Sequence, residues 1–239
     1  MSGSQVPIRD SLVVVLTLTT GAVDAASFLA LGNVFASVIT GNLVLLGVAA
    51  GAARPDLAVH SGVALAGYVT GVSIGAPIAV HADGHGRTWP PRVTVTLLVE
   101  LGVLAAFSIG WELAGAAPQG GVQLALVAVL AAAMGLQAAA VRRLGQMSST
   151  YLTSTLTGLV AGLVTGSKPD GMARSLGILA AIITGAAVTG VIVKTVPGWL
   201  PAMVLLPLGV VIVSSVAGFE WVRDHLIPGR SRGSARRGQ

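Results

Sequence analysis

The sequence predicts an all-α fold: a polytopic helical membrane protein of about eight transmembrane segments, with six or seven also compatible, in two similar halves. Three observations predict it. Of 239 residues, 54% are apolar and 10% charged, and the mean hydropathy is +0.84. Ordinary soluble domains carry roughly 25% charged residues, so this chain has too little polar surface to cover a core in water. The apolar residues gather into runs close to the roughly 20 residues a helix needs to cross a bilayer. The 32 glycines lie inside these Leu/Val/Ala runs, where close helix packing uses them, rather than in linkers. Finally, polar and small residues recur at a fixed spacing along the chain, as a duplication would leave them.

Taken in order, the first segment covers residues 11–31. Thr17, Thr19, Thr20 and Asp24 interrupt its apolar core, and seven segments follow it, which argues against a cleaved signal peptide. Gly32-Asn33 separates it from 34–53, the least distinct of the breaks. Arg54-Pro55-Asp56 then opens 57–80, and a polar stretch with Gly84, Gly86 and Pro90 leads into 93–113. Residues 116–120 precede 121–141, which ends on Arg142-Arg143. The remaining segments are 148–165, 172–193 and 199–221, divided at Gly166 and Gly171 and at Pro197-Gly198. Gly21 and Gly135 stand 114 residues apart, as do Thr70-Gly71 and Thr184-Gly185, while Thr40-Gly41-Asn42 overlies Thr153-Ser154-Thr155 at 113. The expected organisation is an N-terminal tail 1–10, a membrane repeat 11–115, a second repeat 116–222 and a basic, disordered tail 223–239. Four crossings per half would relate the halves by an axis along the membrane normal; an odd number would invert them.

The net charge of +5 arises in the tail, where Arg223, Arg230, Arg232, Arg236 and Arg237 follow the last segment. A basic end beside a span marks the cytoplasmic side, so the C-terminus is expected there, and no basic-aromatic pattern points to nucleic acid. With eight crossings Arg9, Arg54, Lys168 and Arg174 join that side, while Arg87, Arg92, Arg142, Arg143 and Lys194 fall opposite. The Arg142-Arg143 pair is the misfit that keeps six or seven crossings open.

Several side chains stand out against the apolar background. Asp24 lies well inside the first segment, where a lone carboxylate costs at least ~2.5 kcal/mol. Desolvation penalises its charged form, making it a candidate proton- or cation-coupling group, or a hydrogen-bonded link to Thr20 or Ser27. Glu100 raises the same question in the fourth segment. Thr40, Gly41 and Asn42 form a polar, weakly helical patch suited to local unwinding around a cavity, with Thr153 and Thr155 as counterparts and Gln137 extending the polar edge. Gly67, Gly71 and Gly75, and in the seventh segment Gly177, Ala181 and Gly185, recur every four residues or multiples of four and so give each helix a smooth packing face. Such faces also suit association of identical chains, so a homo-oligomer is compatible. His81, Asp83 and His85 sit in a Gly/Pro-containing aqueous stretch, and neither a metal site nor a cofactor is expected. Hydrolase and phosphate-loop patterns are missing, and the chain is not expected to be an enzyme.

Residues 21–35, Gly-Ala-Val-Asp-Ala-Ala-Ser-Phe-Leu-Ala-Leu-Gly-Asn-Val-Phe, followed by Thr40-Gly41-Asn42-Leu43 and Gly47, resemble the YoaK-like family of bacterial membrane proteins, a domain of unknown function. The resemblance continues through Gly67-Tyr68, Gly71 and Gly75, then Gly135-Leu136-Gln137-Ala138-Ala139 with Arg142, and Ser149-Thr150-Tyr151 with Thr153. Where a second Thr-Gly is expected the chain has Thr153-Ser154. The resemblance implies a multi-pass protein of the bacterial inner membrane and supplies no activity. The functional expectation therefore rests on the residues: a permease or transporter with the lipid bilayer as surroundings and a small solute or ion as ligand. A non-transporting scaffold associating through its glycine faces is the alternative.

Overall fold

The computed structural model of the chain describes residues 5–80, 89–144, 150–166 and 171–226. Among these residues eight α-helices succeed one another: α1 (Gln5–Ala30), α2 (Ile39–Gly51), α3 (Pro55–Val80), α4 (Pro91–Leu113), α5 (Gly120–Arg143), α6 (Thr150–Thr165), α7 (Met172–Thr195) and α8 (Leu200–Leu226). A 3-10 turn, Pro197–Trp199, precedes α8. No strand occurs among the described residues. Each apolar run of the sequence has become one helix. Six of the eight are long and apolar enough to cross a bilayer, while α2, with 13 residues, and α6, with 16, are not.

Contacts between helices fix their directions. Gly177 of α7 faces Val14 of α1, Gly185 lies on Leu18 and Gly190 faces Leu29, so α1 and α7 run parallel. Arg174 at the start of α7 pairs at 3.3 Å with Asp10 near the start of α1, which agrees. Gly67, Gly71 and Gly75 of α3 rest in turn on Ala128, Ala132 and Leu136 of α5, so these two are parallel as well. Between the pairs the sense reverses: Thr20 of α1 meets Gln137 of α5 and Ala30 meets Gln123. Glu100 of α4 meets Gln137 while Gly110 meets Leu126, so α4 opposes α5; Thr94 of α4 meets Ser215 of α8 while Trp111 meets Pro197, so α8 opposes α4. Consequently α1, α4 and α7 point one way, and α3, α5 and α8 the other.

Residues 34–53 do not form the span expected of them, and of the six, seven or eight crossings the sequence left open, the six helices of spanning length fit six. The C-terminal end of α1 and the N-terminal end of α3 are at the same face, where Gly32 lies against His60 and where His60 and Ala30 both meet Gln123. The chain between them enters and leaves on one side. Residues 31–38 run back along α1 until Ala36 and Ser37 reach Asp24, about 9 Å below Ala30 at 1.5 Å per residue, and α2 then returns. Likewise α5 ends, and α7 begins, at the opposite face, so α6 makes no net crossing. The unwinding expected at Thr40 to Asn42 is found instead just before them, and those three residues form the first turn of α2. Helix α1 stops where Gly32 (φ 102°) and Asn33 (φ 61°) take left-handed backbone, a conformation glycine and asparagine adopt at little cost.

The tightest packing joins α3 to α5 and α1 to α7. A methyl group placed on Gly71 would strike the carbonyl of Ala132, and one on Gly185 the carbonyl of Leu18; Gly135 and Gly21 are similarly seated on Tyr68 and Ile182. Each of these contacts is matched by another 114 residues along the chain in both partners. Gly177 and Ala181 continue the α7 face against α1, Ala181 being buried. Both glycine faces are thus filled from within the molecule. Helix α8 lies across α1 and α4 and closes the core of Leu16, Leu97, Leu104, Phe107, Leu200 and Leu208.

Candidate functional site

Two polar constellations sit inside the bundle, each built around one carboxyl group. The first belongs to Asp24, 7% exposed on α1. Its Oδ1 accepts the backbone N–H groups of Ala36 at 2.9 Å and Ser37 at 2.7 Å, and its Oδ2 accepts the Ser37 hydroxyl at 2.5 Å. These donors are free for a plain reason. Residues 33–38 are not helical, so their N–H groups have no carbonyl four residues back and must find acceptors at a depth where water is scarce. Asp24 supplies them. Asn42 performs the same service one step earlier, its Oδ1 accepting the Phe35 N–H at 2.9 Å and its Nδ2 donating to the Phe35 carbonyl at 2.5 Å. Phe35 in turn stacks on Phe28 with ring centres 5.1 Å apart. Asp24 therefore ties the returning segment to α1, and Asn42 ties the same segment to the first turn of α2.

The second constellation is a chain of three side chains from three helices. The Thr20 hydroxyl of α1 lies 2.7 Å from Gln137 Oε1 of α5, and Gln137 Nε2 donates at 3.1 Å to Glu100 Oε1 of α4. Glu100 is 0% exposed, and its second oxygen, Oε2, has no hydrogen-bond partner. The hydroxyls of Thr19, Ser27, Ser61 and Thr189 are buried in the same condition.

Some sequence-derived candidates come together here and others do not. Asp24 and Asn42 meet through the 31–38 stretch, with Ser37 as the participant that sequence reasoning missed; neither Thr20 nor Ser27 hydrogen-bonds Asp24. Thr40 is exposed on α2, and Gly41 lies against Val38 and Phe35. Gln137 and Glu100 are joined to each other, not to Asp24. Thr153 is exposed and Thr155 half-buried on α6, whose chief neighbour is α7, so they do not face Asp24 across a shared centre. Glu112 is exposed beside a buried Trp111 whose indole N–H donates to Pro197. The possible ligands His81, Asp83 and His85 lie outside the described residues. No group of three or more His, Cys, Asp or Glu placed to hold a metal ion occurs among the described residues.

Comparison with known proteins adds identity but no chemistry. Residues 12–216 match the family described as protein of unknown function, DUF1275. The UPF0700 transmembrane protein YoaK of Bacillus subtilis (strain 168) is 36% identical over 154 residues, covering 64% of this chain and 66% of that protein. The match thus spans just under two thirds of that relative's length. No solved structure matches the chain.

Proposed function

Since the chain belongs to the DUF1275 family, whose function is unknown, its activity has to be read from its own residues, and we propose that it is a permease or transporter for a small solute or ion. One observation carries this reading. Helices α1, α3 and α4 run opposite in sense to α5, α7 and α8, taken in the same order, and each group carries one short helix that enters and leaves at a single face. Three crossings and a non-crossing helix, repeated upside down, is the arrangement by which secondary transporters place a solute between two halves and open it to either side.

On this reading residues 11–115 and 116–222 are duplicated repeats related by a two-fold axis in the membrane plane. The recurrence of polar motifs at 113 and 114 residues supports it, as do the paired glycine contacts at the same offset. The chain is placed in the bacterial inner membrane with both ends cytoplasmic. Among the described residues Arg9, Arg92, Arg142, Arg143 and Arg174 lie toward the face that holds the start of α1 and the end of α8, against Arg54 and Lys194 toward the other. The sequence joining the first set of ends adds Arg87 and Lys168, and the tail adds more arginines. The positive-inside rule then assigns that face to the cytoplasm. The scaffold alternative loses its main support, because the glycine faces it would offer a partner are occupied by α5 and α1.

The test is a thermal-stability screen of the purified chain against ions, amino acids and organic acids, followed by flux measurements in liposomes with any stabilising compound. A solute at a hundred times its Kd raises stability by about 2.7 kcal/mol. The expected outcome is one chemical class that both stabilises and moves; a stabilising compound that no liposome takes up or releases rejects transport.

A further inference from the structure

The two intramembrane carboxyl groups are not equivalent. Both oxygens of Asp24 are occupied by donors of residues 36 and 37 that need them, so this carboxyl is committed to holding the re-entrant stretch. Glu100 is committed on one side only. Gln137 is oriented with its Oε1 on the Thr20 hydroxyl, which also lies 3.2 Å from the Leu16 carbonyl, and with its Nε2 on Glu100. Glu100 Oε1 is therefore supplied with a donor, while Oε2 stays buried and unpartnered.

We propose that Glu100 Oε2 is a proton-binding site in the core of the bundle, with Gln137 and Thr20 as the positioning residues that keep it turned inward. Its role as the coupling group rests on the transport reading above; its chemistry does not. A bare carboxylate with one donor, taken out of water, costs several kcal/mol, whereas the neutral acid forfeits a single hydrogen bond. A metal cation calls for several oxygen ligands, and Gln137 Oε1 is already directed at Thr20. A proton needs neither more ligands nor a cavity. Helices α5, α8 and α3 pack against α4. Their titratable or charged residues are Arg142 and Arg143 on α5, Asp56, His60 and Tyr68 on α3, and on α8 those from Glu220 onward; α4 itself has Arg92 and Glu112 near its ends. None of those whose side chains are described forms an ion pair with Glu100. Asp24, one turn from Thr20, is engaged with Ser37. The proton is exchanged when the bundle opens around α1, α4 and α5, and it leaves for water as H+ with no bond but O–H broken.

Infrared spectroscopy of the full chain in lipid at neutral pH, with and without carboxyl-13C glutamate, tests this. The expected result is a protonated-glutamic-acid carbonyl band that moves with the isotope, disappears in Glu100→Gln and persists in Asp24→Asn. In Gln137→Leu the band should shift upward as its hydrogen bond is lost, a readout that holds even should Glu100→Gln fold poorly. Absence of a protonated glutamic acid band in the folded protein, or its survival in Glu100→Gln, overturns the proposal. Solute flux without the band removes Glu100 from an intact transport reading; the band without flux for any stabilising solute keeps the proton site and rejects transport.

Discussion

Asp24 shows how much one side chain can hold in a medium without water. Replacing it with alanine strands the N–H groups of Ala36 and Ser37 and the Ser37 hydroxyl at once. With about 1–3 kcal/mol for each buried donor left unpaired, Asp24→Ala should destabilise the protein by at least ~3 kcal/mol in thermal unfolding followed by tryptophan fluorescence. Asp24→Asn retains one acceptor oxygen, and the Ser37 hydroxyl can turn to accept from the new amide, so its loss should be well under half of that. Thr40→Ala, on an exposed position next to the same segment, should stay within about 0.5 kcal/mol of the parent. The sequence made Asp24 conspicuous because a carboxylate interrupts an apolar run. It could not reveal Ser37 as partner, since a serine followed by Val38 and Ile39 carries no mark of being pulled out of a helix. The Thr20–Gln137–Glu100 chain was illegible for a different reason: its members are 117 and 37 residues apart, and only tertiary packing brings them together.

At the level of helices, the four-residue spacing of glycines correctly marked faces of close approach, and the structure shows what they approach. Backbone meets backbone between α3 and α5 and between α1 and α7. Gly71→Leu or Gly185→Leu must therefore part a helix pair; such overpacking costs about 1–3 kcal/mol and more when main chain has to move. Both variants should unfold at clearly lower temperature. Gly102→Ala in α4 and Gly62→Ala in α3 have open space at the added carbon and should be neutral or gain up to about 1 kcal/mol from helix propensity, which the same unfolding assay reads. What the spacing could not distinguish was a face turned toward another chain from one turned inward. Nor could hydropathy separate α2 from a true span, because the extended residues before it are as apolar as the helix and the two together match the length of a crossing.

Across the whole molecule, the Arg142-Arg143 pair was the misfit of an eight-crossing arrangement, and with three crossings on each side of the midpoint it would lie with the start of α1 and the end of α8. The chain contains no cysteine, so single cysteines can report the arrangement directly. Arg54→Cys, Ala117→Cys and Val196→Cys should react with an impermeant maleimide from one side of the membrane, and Arg143→Cys and Ala173→Cys only from the other. Eight crossings would instead place Arg54 and Ala117 with Ala173, and Arg143 with Val196, so labelling of intact cells decides between the two topologies. The segment count was legible because each apolar run is bounded by charges or turn residues. The handedness and interlocking of the runs were not, because they depend on which small-residue face meets which.

That interlocking constrains how the polypeptide can be divided. The first helix of the N-terminal half finds its closest neighbour in the C-terminal half, and the first helix of the C-terminal half finds its own in the N-terminal one. A chain severed at the exposed Ala117 would thus yield two fragments, each with its smoothest surface bare. Neither should survive alone in a cell, yet produced side by side they should recognise one another and rebuild the parent, as obligate complements of a single broken gene product.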